Sequence, residues 1–199
     1  MPYEPFTTES GFVLQPIHSF PPFFTKQHHP SILSDATQQW IKLILGYARH
    51  RRLWTLRVED AESKDGPWNE VFWNPRIKRQ MPQQYLEYIT KTMVSEGSAF
   101  WEPPRQTRSV IVCWSKVDAW AETLYDWVLS TGQMNTILTY YEIQNPETVE
   151  GPMSETPLPL LLKAIQVLAK SGRAQQIEGE AADGAEGGGG VRFFRAVAK

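Results

Sequence analysis

Four histidines, one cysteine and a run of four glycines are the residues of this 199-residue chain whose types could carry out chemistry. His18, His28 and His29 fall in a proline-rich leader, and His50 stands apart. Imidazoles ligate metals or move protons, but a metal site needs further ligands at set spacing, and no second pair accompanies His28-His29. An exposed polar role fits that pair better, because an extended leader is a poor scaffold for a preorganised group. Cys113 lies between Val112 and Trp114. A nucleophilic thiolate needs an activating base, so Cys113 reads as a small buried hydrophobe. Gly187-Gly188-Gly189-Gly190 follows no strand-to-helix turn and lacks the Lys-Ser/Thr pair of a phosphate loop. With the acidic stretch Glu178–Glu186 before it, it reads as a long flexible loop. No catalytic, metal-binding or cofactor-binding residue is expected, and hence no enzyme.

The elements that would hold such residues point the same way. The 20 Lys and Arg balance 22 Asp and Glu to a net charge of −2, which gives no general reason to expect nucleic acid as a partner. Hydrophobic residues make up 41%, with 8 Trp, 9 Phe and 7 Tyr, so the chain can bury a core. No stretch approaches the ~20 consecutive apolar residues of a membrane span. Met1-Pro2-Tyr3-Glu4-Pro5 lacks the basic patch and apolar run of a secretory signal, and one cysteine excludes an internal disulfide framework, as the cytosol would suit.

Residues 1–33 hold six prolines and show neither a helical nor an alternating period. Proline fixes φ and removes a donor, so this arm is expected to be extended and polyproline-like rather than part of a sheet. Its rings (Tyr3, Phe6, Phe12, Phe20, Phe23 and Phe24) should bury against something, at roughly 1.5–3 kcal/mol each. A helix is then expected from Asp35, with Gln38 completing a capping box and Trp40, Ile41, Ile44, Leu45 and Ala48 as its stripe. Thr55–Glu59 reads as a strand and 67–80 as a short helix around Trp68, Val71, Phe72 and Trp73. A helix from Pro82 to Gly97 carries Leu86, Ile89, Met93 and Val94. Strands are expected at Ser98–Trp101 and Ser109–Trp114.

The plan then repeats. Ser115 caps a helix with Val117, Trp120, Ala121, Leu124, Trp127 and Val128, closed by Gly132. Thr136–Ile143 reads as a strand. Thr156 and Pro157 open a helix with Leu158, Leu161, Leu162, Ile165, Leu168 and Ala169, stopped by Gly172. Ala174–Ile177 and Val191–Ala196 read as the last strands. Counting back from Gly97 and Gly172, Leu86 matches Leu161, Met93 matches Leu168 and Ala99 matches Ala174. The predicted fold is therefore α+β: two tandem winged helices, 34–114 and 115–199, behind a docking arm at 1–33, the alternative being one merged domain. No polar linker separates Trp114 from Ser115, so the halves are expected to keep a fixed orientation.

A winged helix invites a DNA reading, since its third helix often enters the major groove. Here that helix offers only Lys91 in the first half and Lys163 and Lys170 in the second, too few bases for phosphate contact. Arg49, Arg51, Arg52 and Arg76, Lys78, Arg79 do cluster, which keeps a DNA-associated factor, or contact with acidic lipid, as the alternative. The sharpest motif is Phe20-Pro21-Pro22-Phe23-Phe24-Thr25. Two prolines preset a turn and splay rings to fixed sides, as segments do when they dock in aromatic-lined grooves; packing on its own first domain is the equal alternative.

That motif, the Trp-bearing first helix and two winged helices together resemble the small-subunit family of ESCRT-II, vacuolar protein-sorting-associated protein 25, in its fungal type. In the second half Trp120, Tyr125, Trp127, Ser130-Thr131-Gly132-Gln133, Leu138-Thr139, Tyr141-Glu142 and Val191-Arg192-Phe193-Phe194 fit the same pattern, over about Gln15 to Phe194. The resemblance implies a non-enzymatic subunit in the cytoplasm, peripherally on endosomal membranes, acting in multivesicular-body sorting of ubiquitinated cargo. Phe20, Pro21, Pro22, Phe23 and Phe24 would dock on the two larger subunits, vacuolar protein-sorting-associated proteins 22 and 36. Two copies would sit in each complex. The second winged helix would nucleate ESCRT-III through vacuolar protein-sorting-associated protein 20, with the exposed face of helix 157–171 and its neighbouring strands as the contact. Neither nucleic-acid binding nor direct membrane insertion is implied. Gln15-Pro16-Ile17-His18 stands where fungal members can carry a first Pro-Pro-x-Tyr motif, and has lost a proline and the tyrosine.

Overall fold

The chain forms two compact units, Met1–Trp114 and Ser115–Lys199. The computed structural model describes residues 5–147, 150–154, 156–178 and 189–195.

The first unit opens differently from the extended arm that its prolines predict. Strands β1 (Phe6–Thr7) and β2 (Val13–Leu14) pair antiparallel around a turn with Gly11 at φ 82°. Two 3-10 turns follow, Pro16–Ser19 and Pro21–Phe24, each with proline at its start. The reason is burial: Leu14, Phe23 and Phe24 are at most 3% exposed, inside the first unit's own core. Tyr3 lies outside the described residues.

Helix α1 spans Pro30–Arg51, five residues earlier than the Asp35 start. Pro30 suits a first turn, where its missing N–H would be unpaired anyway. Trp40, Ile41, Ile44, Tyr47 and Ala48 are its buried stripe, while Leu45 is half-buried. Strand β3 covers Thr55–Arg57, then a 3-10 turn takes Val58–Ala61. The helix expected over 67–80 shrinks to α2, Asn69–Phe72; the rest is a hairpin of β4 (Trp73–Asn74) and β5 (Arg79–Gln80). Pro75 explains this, since the residue before a proline is pushed out of the helical region. Helix α3 (Gln83–Ser95) ends before Gly97 at φ 75°, and β6 (Ala99–Trp101) and β7 (Ser109–Val112) complete a sheet ordered β3-β7-β6.

The second unit runs α4 (Val117–Ser130), β8 (Ile137–Thr139), α5 (Tyr140–Gln144), α6 (Leu158–Lys170), β9 (Ala174–Glu178) and β10 (Gly189–Phe193). Its sheet is ordered β8-β10-β9, all antiparallel. The strand expected over Thr136–Ile143 stops at Thr139, because a capping box begins a helix there. The Thr139 amide donates to Glu142 Oε2 (2.7 Å) and the Glu142 amide donates to Thr139 Oγ1 (3.1 Å). Gly189 and Gly190 are strand, not loop. A Cβ on Gly189 would sit 2.7 Å from the Tyr140 ring, and one on Gly190 would meet the Leu138 carbonyl at 3.1 Å. Gly187, Gly188, residues 179–186 and Ala196 lie outside the described residues.

The internal repeat is visible atom by atom. Leu86 and Leu161 are both fully buried, as are Met93 and Leu168. The Ser98 amide donates to Met93 O and the Arg173 amide to Leu168 O, each at 2.9 Å, around Gly97 and Gly172 at φ 75° and 72°. Each unit is a winged helix with its own core. The first is built on Trp40, Trp68 and Phe72, the second on Leu124, Ile165 and Phe193.

Candidate functional site

The Phe20–Thr25 motif is a 3-10 turn that splits its rings between two sides. Phe23 N–H donates to Phe20 O (3.0 Å) and Thr25 N–H to Pro22 O (3.1 Å). Phe23 and Phe24 turn inward. Phe23 lies flat on Trp40, with centroids 4.3 Å apart and 4° between planes, and Trp40 Nε1 donates to the Phe23 carbonyl at 2.9 Å. Phe24 meets Trp40 edge-on at 5.3 Å and His18 at 5.0 Å. Phe20 turns outward and is 42% exposed; Pro22 is exposed and Pro21 half-buried. The motif is thus half core and half surface: Phe23 and Phe24, expected to dock on partners, pack in the chain's own first unit, while Phe20 and Pro22 remain exposed.

His18 fastens this turn. Its ring is 3% exposed, Nε2 lies 2.7 Å from Val71 O, and Asn74 Nδ2 donates to the His18 carbonyl (2.8 Å) and to Nδ1 (3.2 Å). With Nδ1 accepting, Nε2 carries the proton and the imidazole is neutral. Burial pushes the His18 pKa below 6.5, against the opposing pull of the Val71 carbonyl. The folded state therefore takes up its proton less readily than the unfolded chain. Its contribution to stability is whole above pH 6.5 and is lost as pH falls below that value. Thermal melts between about pH 7 and pH 5 should show a falling Tm, at up to about 1.4 kcal/mol per pH unit for one proton. His18→Gln should flatten that limb; an unchanged slope would assign it to another group.

Between the outward face and the start of α1 runs an apolar groove of about 380 Å³, walled by Phe20, Pro22, Phe23, Ile32 and Ala36 with Asp35 among its polar residues. Ile32, 53% exposed, stands on the first turn of α1. Sequence reasoning missed both His18 and Ile32. For Ile32 the signal was Pro30, which moves the helix start far enough back to bring Ile32 onto it.

In the second unit most of the apolar face of α6 turns inward: Leu160, Leu161, Ala164, Ile165 and Leu168 are fully buried, while Leu158, Leu162 and Val167 are half-buried. The large exposed apolar side chains lie elsewhere, with Ile137 on β8 52% exposed and Tyr141 on α5 73% exposed. A groove of about 520 Å³ runs beside them, lined by Trp127, Leu138, Glu142 and Glu147. Among the described residues no three His, Cys, Asp or Glu side chains gather as a metal site, and no helix is long and apolar enough to cross a membrane. Cys113 is 2% exposed on the strand side of the first unit, while His28 and His29 are exposed.

Known proteins resemble the chain over most of its length. A family model described as ESCRT-II complex subunit matches residues 17–155. Vacuolar protein-sorting-associated protein 25 of Drosophila melanogaster is 32% identical over 179 residues, 89% of this chain and 95% of the relative. That of Danio rerio is 29% identical over 178 residues, with the same shares covered. The crystal structure of subunit VPS25 of the endosomal trafficking complex ESCRT-II superposes with a TM-score of 0.74 at 25% identity, over 90% of this chain and 98% of that one. VPS25 solved within the ESCRT-II complex VPS22/VPS25/VPS36 gives 0.73 at 23% identity, over 94% and 100%. Two winged helices, a split proline-aromatic turn and a family match across more than half its residues place this chain in the ESCRT-II complex subunit family, beside vacuolar protein-sorting-associated protein 25.

Proposed function

We propose that this chain is a non-enzymatic ESCRT-II subunit that docks on the two larger subunits, VPS22 and VPS36, through the outward face of its proline-aromatic turn. The observation that carries the reading is the apolar groove between Phe20, at the start of the turn, and Ile32, on the first turn of α1, two large side chains left about half exposed. Apolar surface held rigid in this way binds at a smaller ordering cost than a flexible arm would. Pro21 and Pro22 set the turn, Phe20 and Ile32 supply contact, Phe23 lines the groove and Phe24 anchors the turn in the core. The known assembly of VPS25 with VPS22 and VPS36 supports the same partners.

The second winged helix engages ESCRT-III, through vacuolar protein-sorting-associated protein 20, and nucleates its assembly on endosomal membranes for multivesicular-body sorting of ubiquitinated cargo. The exposed Ile137 and Tyr141 support the β8–α5 side, rather than α6, as that contact. A DNA role gains no support from the recognition helix of the first unit, where Lys91 is paired with Glu87 at 2.7 Å. The test is a titration of the co-expressed larger subunits with the full chain and with Phe20→Ser/Ile32→Ser. Loss of interface anchors is expected to weaken binding by about 2–4 kcal/mol with an unchanged melting curve. Undiminished affinity would remove the docking assignment.

A further inference from the structure

The leader hairpin does more than cover α1. Phe6 on β1 lies beneath the Arg76 guanidinium, 5.4 Å from ring centroid to carbon, and so touches the β4–β5 hairpin. Four residues on, the Ser10 carbonyl lies 2.9 Å from His50 Nε2, and Ser10 N–H and Oγ donate to Glu70 at 3.0 and 2.5 Å. Glu70 also accepts from Tyr47 OH and stands 4.0 Å from Arg51. Four residues of chain, roughly 13 Å at full extension and less through the turn, join the two ends. One end holds Arg49, Arg51 and Arg52, the other Arg76, Lys78 and Arg79, and all six are exposed. Arg52 and Lys78 sit at turn positions with φ 53° and 51°, which throws them outward at the helix end and hairpin tip. Between them the hairpin presents Val13, 55% exposed on its outer side, while Phe6, paired with the buried Leu14 on the inner side, is 41% exposed. Its one exposed acid among the described residues is Glu9, and the nearby Glu70 is already engaged.

We propose that these two arginine-rich clusters and the hairpin bridging them form one face that rests on an anionic lipid bilayer. Two features select a bilayer over a nucleic acid. Val13, on the outer side of the hairpin, gains from the headgroup boundary but nothing from a phosphate backbone. The bases stand on a helix end and a hairpin tip, away from the recognition helix α3. The contact is peripheral, and its bases act through the surface potential, each worth about five-fold in partitioning at low salt. Arg49 and Arg51 share α1 with Ile32 but stand roughly 25 Å further along the helix, so the face is tested apart from the docking groove.

Co-sedimentation of the full chain with phosphatidylcholine vesicles, with and without phosphatidylserine, tests it. Binding should require phosphatidylserine and weaken steeply with salt. Lys78→Glu/Arg79→Glu should reduce partitioning at least 25-fold, taking about five-fold for each base, and Val13→Ser should reduce it several-fold. Binding of both variants to the larger ESCRT-II subunits should be unchanged, which also shows that they fold. Equal binding to neutral vesicles, undiminished binding of the charge-reversed variant, or retention of duplex DNA in place of vesicles would each overturn it.

Discussion

Trp40→Ala is expected to lower the stability of the first unit by about 3–5 kcal/mol, the range for emptying a buried tryptophan site. The side chain is fully buried and carries contacts from three directions. Phe23 stacks on it, Phe24 and His18 meet it edge-on, and Phe72 lies 6.3 Å away on the far side. Its Nε1 also holds the Phe23 carbonyl, which alanine would leave without that donor. The loss should therefore release the 16–25 segment as well as open a cavity. Denaturant unfolding followed by tryptophan fluorescence measures the first effect, and proteolysis near Phe20–Thr25 the second. A change below about 1 kcal/mol would mean that the turn holds itself.

Phe24→Ala and Phe20→Ala should act on different properties although the residues lie four apart. Phe24 is 1% exposed, so its truncation is expected to remove about 3–5 kcal/mol of stability. Phe20, at 42% exposed, should change stability by less than about 1 kcal/mol and weaken docking on the larger subunits by about 2 kcal/mol or more. From the motif alone, Pro22→Ala with Phe24→Ala reads as a clean test of docking with the fold intact. The burial of Phe24 makes that pair a stability variant, and Phe20 with Ile32 takes its place. Melting curves beside binding titrations decide the matter: equal stability of Phe24→Ala and the parent would refute the inward assignment.

Much of the architecture was legible because helical periodicity and left-handed glycine stops are local signals. Leu86, Ile89 and Met93 of α3, Leu161, Ile165 and Leu168 of α6 and the glycines at 97, 132 and 172 stand where spacing places them. Val94, Leu158, Leu162 and Ala169 are only half-buried, and Leu160 and Ala164 take inward places that spacing did not assign. The leader was not legible. Proline density argues for an extended chain, and only the shape of the cavity beside Trp40 decides that Phe23 and Phe24 turn inward while Phe20 does not. The Thr139-Glu142 box was readable but masked by an apolar, β-branched run. Asp35 and Gln38 show the converse, a capping pair in sequence that lies within α1 because Pro30 starts the helix first. His18 had no local signature, since its partners Val71 and Asn74 come from far along the chain.

The repeat also marks where the two units differ in length. The last helices, Gln83–Ser95 and Leu158–Lys170, keep step at an interval of 75 residues, yet Thr55–Arg57 and Ile137–Thr139 are 82 apart. Seven extra positions were thus admitted between first strand and last helix in one paralogous copy, the stretch that contains Trp73–Gln80 and the cations at 76, 78 and 79. The wings differ too, Trp101 and Ser109 standing 8 apart against 11 for Glu178 and Gly189, so the units differ in length on both sides of the last helix, and the longer stretch gives the first unit alone a cationic hairpin.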